Sequence, residues 1–252
     1  DWSSDVCSSD LRGDSTLRGH TPLELEVIRS ELGPFAANLL VPAFPQGGRT
    51  TTAGVHLLDG KPLHHSAFAR DRRFGYPSSD LPRWLEHKTA GAISADSVAR
   101  RKPGDDLSGL ETGQWAVLDA SSPIDLDVIG EHVLAELAKG RKHLCQSAAS
   151  LLNGLSGVPS ELLEPAELPP IAAPGLVLVG SHVPLTDAQL ADLLEQPGCC
   201  GVEFSLDEPN EPAALTAQLQ QVLSTGITPV LFSSRGERPG YSPARQRQLA
   251  LQ

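Results

Sequence analysis

The sequence predicts an α/β protein of two domains, with parallel or mixed sheets flanked by helices. Three observations carry this expectation. Residues 175–252 alternate short apolar runs with amphipathic stretches in a β-α-β-α-β order, the pattern of a parallel sheet covered on both faces. Residues 157–174 hold five prolines, at 159, 165, 169, 170 and 174, which disfavour a long helix or a central strand and mark a semi-rigid linker. The chain of 252 residues, 40% hydrophobic and 20% charged, is also long enough to bury two cores.

The elements before the linker follow in order. Thr21 reads as an N-cap, Pro22 as a first helical residue, and Leu23, Val27, Ile28 and Leu32 as the apolar stripe of a helix over 23–32 that Gly33 stops. Residues 38–44 form an apolar run ended by Pro45 and the Gly47-Gly48 pair, a buried strand entering a loop. Residues 55–58 and 61–64 flank Asp59-Gly60, whose tolerance of positive φ marks a tight hairpin. Ser79-Asp80-Leu81-Pro82 opens a short helix reaching His87. Strands are expected at 92–95 and 115–119. A helix over 125–139 places Ile129, Val133 and Leu137 on one face, and a last helix covers 147–155. Beyond the linker, strands are expected at 176–179, 202–205 and 229–233, with helices over 186–195, capped by Thr186, and 211–223.

Twenty basic against 31 acidic side chains give a net charge of −11, which repels phosphate backbones and anionic lipid, so neither nucleic acid nor a membrane is an expected partner. The longest apolar stretches, 36–44 and 175–180, are far shorter than the ~18 residues of a membrane span. Cys7, Cys145, Cys199 and Cys200 form no CxxC pair, which suits reduced thiols in a cytoplasmic protein. The eight histidines include His64-His65 but no HExxH, and no metal site is expected.

Both ends look unnatural. Methionine is absent, and residues 1–11, DWSSDVCSSDL, resemble the translation of a sequencing-library adapter, a scar to be set aside. Residues 241–252 read as a helix that begins without a stop signal. The expected organisation is therefore a scar at 1–11, a first domain at 12–156, a linker at 157–174 and a second domain at 175–252. Both domains are expected to be incomplete.

Polar chemistry concentrates in DSTLRGH, residues 14–20, just before the first helix. Arg18 offers a planar fork for a carboxylate, Asp14 accepts from sugar hydroxyls, and Ser15 and Thr16 do either, a combination that suits a small polyhydroxy acid. On local chemistry alone the competing account is that Asp14 or Thr16 caps a turn while Arg18 pairs with Glu24 or Glu26. Gly47-Gly48-Arg49 followed by three threonines is a second polar loop that suits an anion or a solvated hairpin approach. Lys88 either presents a cation to an acid or complements its helix dipole. After the linker, Gly180-Ser181-His182 and Ser233-Ser234-Arg235-Gly236 lie beyond the carboxyl ends of expected strands, where α/β sheets bind ligands. Neither GxxxxGK[ST] nor GxGxxG is present.

Read together, these segments resemble the four-carbon acid sugar kinase family, which includes D-threonate/D-erythronate kinases and 3-oxo-tetronate kinases. The resemblance runs through DSTLRGH (14–20), PAFPQGGRTTTAGVHLLDGKPL (42–63), FARD (68–71), EHKTAG (86–91), QSAAS (146–150), VLVGSH (177–182) and LFSSRGE (231–237). It implies a sugar-acid-binding first domain, an ATP-binding second domain, and phosphoryl transfer from ATP, with Mg2+ on its phosphates, to the terminal hydroxyl of a tetronate or 3-oxo-tetronate. It also implies that Asp14, Ser15, Thr16 and Arg18 form the substrate loop with Arg49 and Lys88 nearby, and that Gly180, Ser181 and Ser234 serve the nucleotide. The expected partners are the sugar acid and ATP, and a homodimer is admissible.

Departures from the family pattern matter. Arg12-Gly13 stands where the family commonly has Lys-Thr, and the family's early Asp-Asp-x-Thr-Gly and late Gly-Gly-x-Thr-Ser-Gly segments are absent. The catalytic base is expected in the missing early segment, so the chain is expected to be an inactive piece of a carbohydrate kinase. The rival readings are a non-catalytic sugar-acid sensor and, more distantly, a nicotinamide oxidoreductase with Asp207 serving a ribose.

Overall fold

A computed structural model describes residues 10–71, 73–158, 163–169, 174–182, 184–205 and 211–235. The chain divides into two compact units, 1–162 and 163–252. The first contains β1 (Asp10–Arg12), α1 (Leu23–Leu32), β2 (Ala37–Val41), β3 (Arg49–Thr52), β4 (Val55–Leu58), β5 (Lys61–Pro62), α2 (Leu81–Lys88), β6 (Ala99–Arg101), β7 (Gln114–Leu118), α3 (Pro123–Ala138), β8 (Leu144–Ser147) and α4 (Leu151–Ser156). The second contains β9 (Val177–Val179), α5 (Pro184–Leu194), β10 (Cys199–Phe204), α6 (Pro212–Ser224) and β11 (Thr228–Ser233).

The first unit is built on a five-stranded sheet of order β1-β8-β2-β7-β6, every neighbouring pair parallel. β2 is buried along its whole length, as a strand covered on both faces must be. Its alternation divides the core: Leu40 packs with Leu25 of α1 and Trp84 and Leu85 of α2, while Leu39 and Val41 pack with Leu126, Ile129 and Val133 of α3 and Leu151 of α4. α3 starts at a capping box, Ser122 accepting from the Asp125 amide and the Asp125 carboxylate accepting from the Ser122 amide. It meets α4 so closely that a Cβ on Gly130 would lie 2.3 Å from the Gly154 carbonyl carbon.

β3, β4 and β5 form a separate antiparallel sheet. Its turn has Asp59 at φ 50° and Gly60 at φ 76°, the two positive values that Asp-Gly predicts. The second unit holds a parallel sheet of order β10-β11-β9 with α5 and α6 as its helices. The α/β class with parallel sheets flanked by helices is thus observed. Among the described residues no helix is long and apolar enough to cross a membrane.

Several local expectations differ from the structure. Where a strand is expected at 92–95, residues 92–94 form a loop and Ala95 opens a 3-10 turn, Ala95–Ser97; the strand of this region is β6, farther along the chain. The Ile93 amide donates to Thr89 Oγ1 and the Ala95 amide to Glu86 Oε1, so groups at the end of α2 take the donors a ladder would need. The second hairpin arm stops at Pro62, and a 3-10 turn, Leu63–His65, follows because the Ser79 hydroxyl accepts the His64 amide. Thr21 does not cap α1; Pro22 holds that position, and the Thr21 hydroxyl accepts from the Gln146 side chain at 2.5 Å. Ser147 belongs to β8 rather than to a helix, and Cys199 and Cys200, expected just before a strand, open β10. Asp10 and Leu11, assigned from sequence to a scar, pair in β1 with Cys145 and Gln146. Residues 1–9 and 241–252 lie outside the described residues.

Candidate functional site

The loop after β1 carries the densest polar chemistry, and the sheet places it at the carboxyl ends of the parallel strands, where α/β folds bind ligands. The Gly13 amide donates to the Ser147 carbonyl at 2.6 Å and extends the β1–β8 pairing into the loop. Asp14 then folds the loop around itself: Oδ1 accepts the Thr16 amide at 3.0 Å and Oδ2 accepts the Thr16 hydroxyl at 2.5 Å. Arg18 Nε donates to Asp14 Oδ2 at 2.8 Å and to Thr16 Oγ1 at 2.9 Å. Leu17, at φ 63° and 2% exposed, holds a left-handed conformation that side chains disfavour, and the packed core around it fixes that turn. Burial alone raises the Asp14 carboxyl, but hydrogen bonds from Thr16 and the Arg18 charge outweigh it and hold its pKa below the ordinary value.

Three side chains from elsewhere grip the carbonyls of this loop. His56 Nε2 donates to the Ser15 carbonyl at 2.8 Å, the Tyr76 hydroxyl donates to the Thr16 carbonyl at 2.7 Å, and Lys88 Nζ donates to the Gly19 carbonyl at 2.8 Å. Burial pushes the His56 imidazole down to about 4, so the ring is neutral near neutral pH. Because Nε2 must donate to a carbonyl, Nδ1 is the acceptor and takes the Thr51 hydroxyl at 2.9 Å. Burial also raises the Tyr76 phenol and lowers the Lys88 ammonium. The Lys88 head lies 5.6 Å from the Phe74 ring centre and 5.9 Å from that of Trp84, which supports the cation while it holds the loop.

The two arginines expected from sequence come together around one ring. The Arg18 guanidinium lies 5.3 Å from the centre of Phe68, and that of Arg49 lies 5.9 Å from the same ring and 5.7 Å from Phe44. Arg18 also comes within 4.0 Å of Asp71, whose pKa is lowered by the Phe74 and Arg73 amides. Neither Glu24 nor Glu26 is its partner. Arg49 has no ion pair among the described residues, and its buried Nε has no hydrogen-bond partner there. Asp14, Ser15, Thr16, Arg18 and Arg49 thus gather in one region, and Lys88 reaches it through a backbone carbonyl.

In the second unit Gly180 and Ser181 follow β9 and Ser234 follows β11, so all three lie at the carboxyl ends of paired parallel strands. The Ser181 carbonyl accepts from Arg235 Nη2 at 2.5 Å and its hydroxyl from Thr186 at 3.2 Å. Ser234 turns both its amide and its hydroxyl to the Phe204 carbonyl, at 2.9 and 3.3 Å. Arg235 also pairs with Asp187 in the first turn of α5. Among the described residues no three His, Cys, Asp or Glu side chains gather to hold a metal. Asp207 lies outside the described residues.

Sequence reasoning did not single out His56, Phe68, Asp71, Tyr76 or Arg235 as site residues. One signal was available: a histidine between apolar neighbours on a strand, which buries a ring that then needs two partners.

Residues 3–155 match the family model of the sugar-binding N-terminal domain. The chain belongs to this family. It is 32% identical over 130 residues to a D-erythronate kinase of Heliobacterium modesticaldum, covering 47% of this chain and 28% of that protein. It is 29% identical over 188 residues to a 3-oxo-tetronate kinase of Cupriavidus necator, covering 66% of this chain and 42% of that one. The chain therefore spans less than half the length of either relative. Among solved structures, the fold is similar to that of a putative tRNA synthase from Salmonella typhimurium LT2, with TM-score 0.58, 21% identity, and 89% of this chain and 56% of that one covered. It is likewise similar to Haemophilus influenzae protein HI1011, with TM-score 0.54, 17% identity, and coverage of 97% and 60%. At such identities these two matches concern the fold alone.

Proposed function

We propose that the chain carries the acid-binding part of an ATP-dependent kinase of four-carbon sugar acids. The observation that supports this most is the pinned loop at 14–18: a guanidinium already oriented by Asp14 and Thr16, beside a second guanidinium without a carboxylate partner among the described residues. Two cations around one aromatic ring suit a short anion, and the carboxylate of a tetronate is one. Asp14 and Ser15 then meet its hydroxyls, the buried Thr16 holds Asp14 and Arg18 in place, and Lys88 acts through the loop backbone. Membership of the family and relatives named as kinases of D-erythronate and of 3-oxo-tetronate favour the same substrate class. Those two acids share a carboxylate, a hydroxyl on the adjacent carbon and a terminal hydroxyl, and differ at carbon three.

In this reading the second unit takes ATP, with Gly180, Ser181 and Ser234 on the nucleotide side. The acid's terminal oxygen forms a bond to the γ-phosphorus, the bond from that phosphorus to the β,γ-bridging oxygen breaks, ADP leaves and the hydroxyl proton is released. Mg2+ would accompany ATP on its phosphates; among the described residues no three His, Cys, Asp or Glu side chains gather to hold it. In this reading the protein works in the cytoplasm, where ATP is supplied.

Calorimetric titration of D-erythronate and D-threonate into the chain tests the acid site. Saturable binding that falls at least about tenfold in Arg18→Ala is expected. Absence of binding to every tetronate, or binding indifferent to Arg18, refutes the proposal. Binding of labelled ATP, weakened by Ser181→Ala, tests the second unit separately.

A further inference from the structure

Asp14 and Arg18 also line a crevice whose other walls include Gly13, Trp84, Gln146 and Ser147. Its volume of about 10 Å³ is roughly the space of one oxygen-sized group. Asp14 and Arg18 are each about one-third exposed at the side chain, at 32% and 34%, so the crevice is reached from the side on which the loop faces solvent. Two nearly inaccessible residues of its lining carry buried polar atoms without a partner among the described residues: the Trp84 indole nitrogen, a donor, and Gln146 Oε1, an acceptor. Trp84 is 1% and Gln146 4% exposed. Buried polar groups are seldom left unpaired, and the exceptions call for a partner that binds there.

Gln146 Nε2 donates to Thr21 Oγ1 at 2.5 Å, which leaves Oε1 as the accepting atom. A Cβ on Gly13 would lie 3.2 Å from its Cγ and its Nε2, so glycine lets this side chain approach the loop closely. A one-oxygen space whose lining residues carry an unpaired donor and an unpaired acceptor suits a group that accepts and donates at once. A hydroxyl does both, whereas a carboxylate oxygen cannot donate and an ammonium cannot accept.

The geometry points to a seat for the α-hydroxyl of the sugar acid, with the Trp84 indole donating to its oxygen and its proton donated to Gln146 Oε1. This rests on the reading that Arg18 binds the carboxylate. Because Arg18 lines the same one-oxygen space, the hydroxyl it admits is the one on the carbon next to the carboxylate. The subsite explains how one site serves acids that differ at carbon three: it reads the position they share. Trp84 and Gln146 become specificity residues, which neither the DSTLRGH segment nor the helix containing Trp84 reveals alone.

The test compares D-erythronate with 3,4-dihydroxybutanoate, the same chain length without the α-hydroxyl, on the whole chain. Calorimetry gives the affinities, and 1H–15N spectra follow the indole N–H of Trp84, assigned with Trp84→Phe. D-Erythronate is expected to shift that resonance, and 3,4-dihydroxybutanoate to bind about 10- to 100-fold more weakly and leave it in place. 2,4-Dihydroxybutanoate, which keeps the α-hydroxyl, is expected to shift it as D-erythronate does. Equal affinities for the acids with and without the α-hydroxyl, or a Trp84 resonance unmoved by bound D-erythronate as when a resident water keeps the seat, overturn the inference and leave the Arg18 reading standing. Failure of all three acids to bind overturns both. The wild-type comparison decides the matter even if Trp84→Phe does not fold.

Discussion

His56 couples the loop at 14–20 to proton concentration, and the size of the effect follows from its burial. The ring is 0% exposed, its imidazole is pushed down to about 4 from an ordinary 6.5, and it donates to the Ser15 carbonyl. Between those two values the unfolded chain binds a proton at His56 that the folded chain does not. Stability therefore falls as pH falls across that window: the contribution is intact above 6.5 and is lost progressively as pH drops toward 4. At 1.36 kcal/mol per pH unit, a folded value near 4 and an unfolded value of 6.5 give a loss of about 2 kcal/mol at about pH 5 and a limit of about 3 kcal/mol.

The wild type alone does not isolate this effect, because Asp10 titrates in an overlapping range with the opposite sign. Burial raises its carboxyl to about 6, so the folded state holds that proton more tightly and Asp10's contribution is lost as pH rises through 6. The decisive quantity is the stability difference between wild type and His56→Gln, measured by urea unfolding at about pH 7.5 and about pH 5. Fluorescence of the buried Trp84 and Trp115 reports on the first unit. Any advantage of wild type should shrink by about 2 kcal/mol between the two conditions. A difference that stays constant within about 0.5 kcal/mol refutes the claim that His56 is buried and neutral.

Three further outcomes are expected. Gly130→Ala drives a methyl to within 2.3 Å of the Gly154 backbone, which cannot rotate away, and should cost about 3 kcal/mol in urea unfolding, whereas a loss below about 0.5 kcal/mol contradicts the α3–α4 contact. Lys88→Met keeps the stem near Trp84 and Phe74 but leaves the Gly19 carbonyl without its donor; about 1–2 kcal/mol should be lost, and amide hydrogen exchange should rise across residues 13–20 more than in α3. Glu136, only 4% exposed, accepts from the exposed cations of Lys139 and Arg141 and lies 3.8 Å from the buried His143, so Glu136→Gln should destabilise by about 1 kcal/mol in the same unfolding assay, and an unchanged stability would show that these bonds contribute nothing.

What could be read from the sequence was what is local. The second unit's elements came within a few residues of their observed bounds because apolar runs and amphipathic stretches alternate cleanly there. The Asp59-Gly60 turn and the capping of α2 by Asp80 are likewise properties of a few consecutive residues. The strand expected at 92–95 failed for a reason no window shows: a threonine and a glutamate at the end of the preceding helix fold back and take its amide donors. Thr21 looked like a cap until Gln146, 125 residues away in sequence, claimed its hydroxyl.

The candidate site divides in the same way. Asp14, Thr16 and Arg18 bond to one another across separations of two and four residues, so DSTLRGH displays both its chemistry and much of its geometry in one segment. The groups that fix its carbonyls come from 41, 60 and 69 residues away, in a hairpin, a loop and α2. Those residues lend the loop no reactive group. They remove its freedom, and an arginine held still before its ligand arrives binds with less ordering cost than one that must be caught. It follows that DSTLRGH grafted without partners equivalent to His56, Tyr76 and Lys88 would keep the composition of the site and lose most of its affinity. Substituting those three together while leaving Arg18 in place should therefore weaken tetronate binding as severely as removing Arg18 itself; if affinity survives, the loop holds its shape unaided and the long-range contacts serve only the fold.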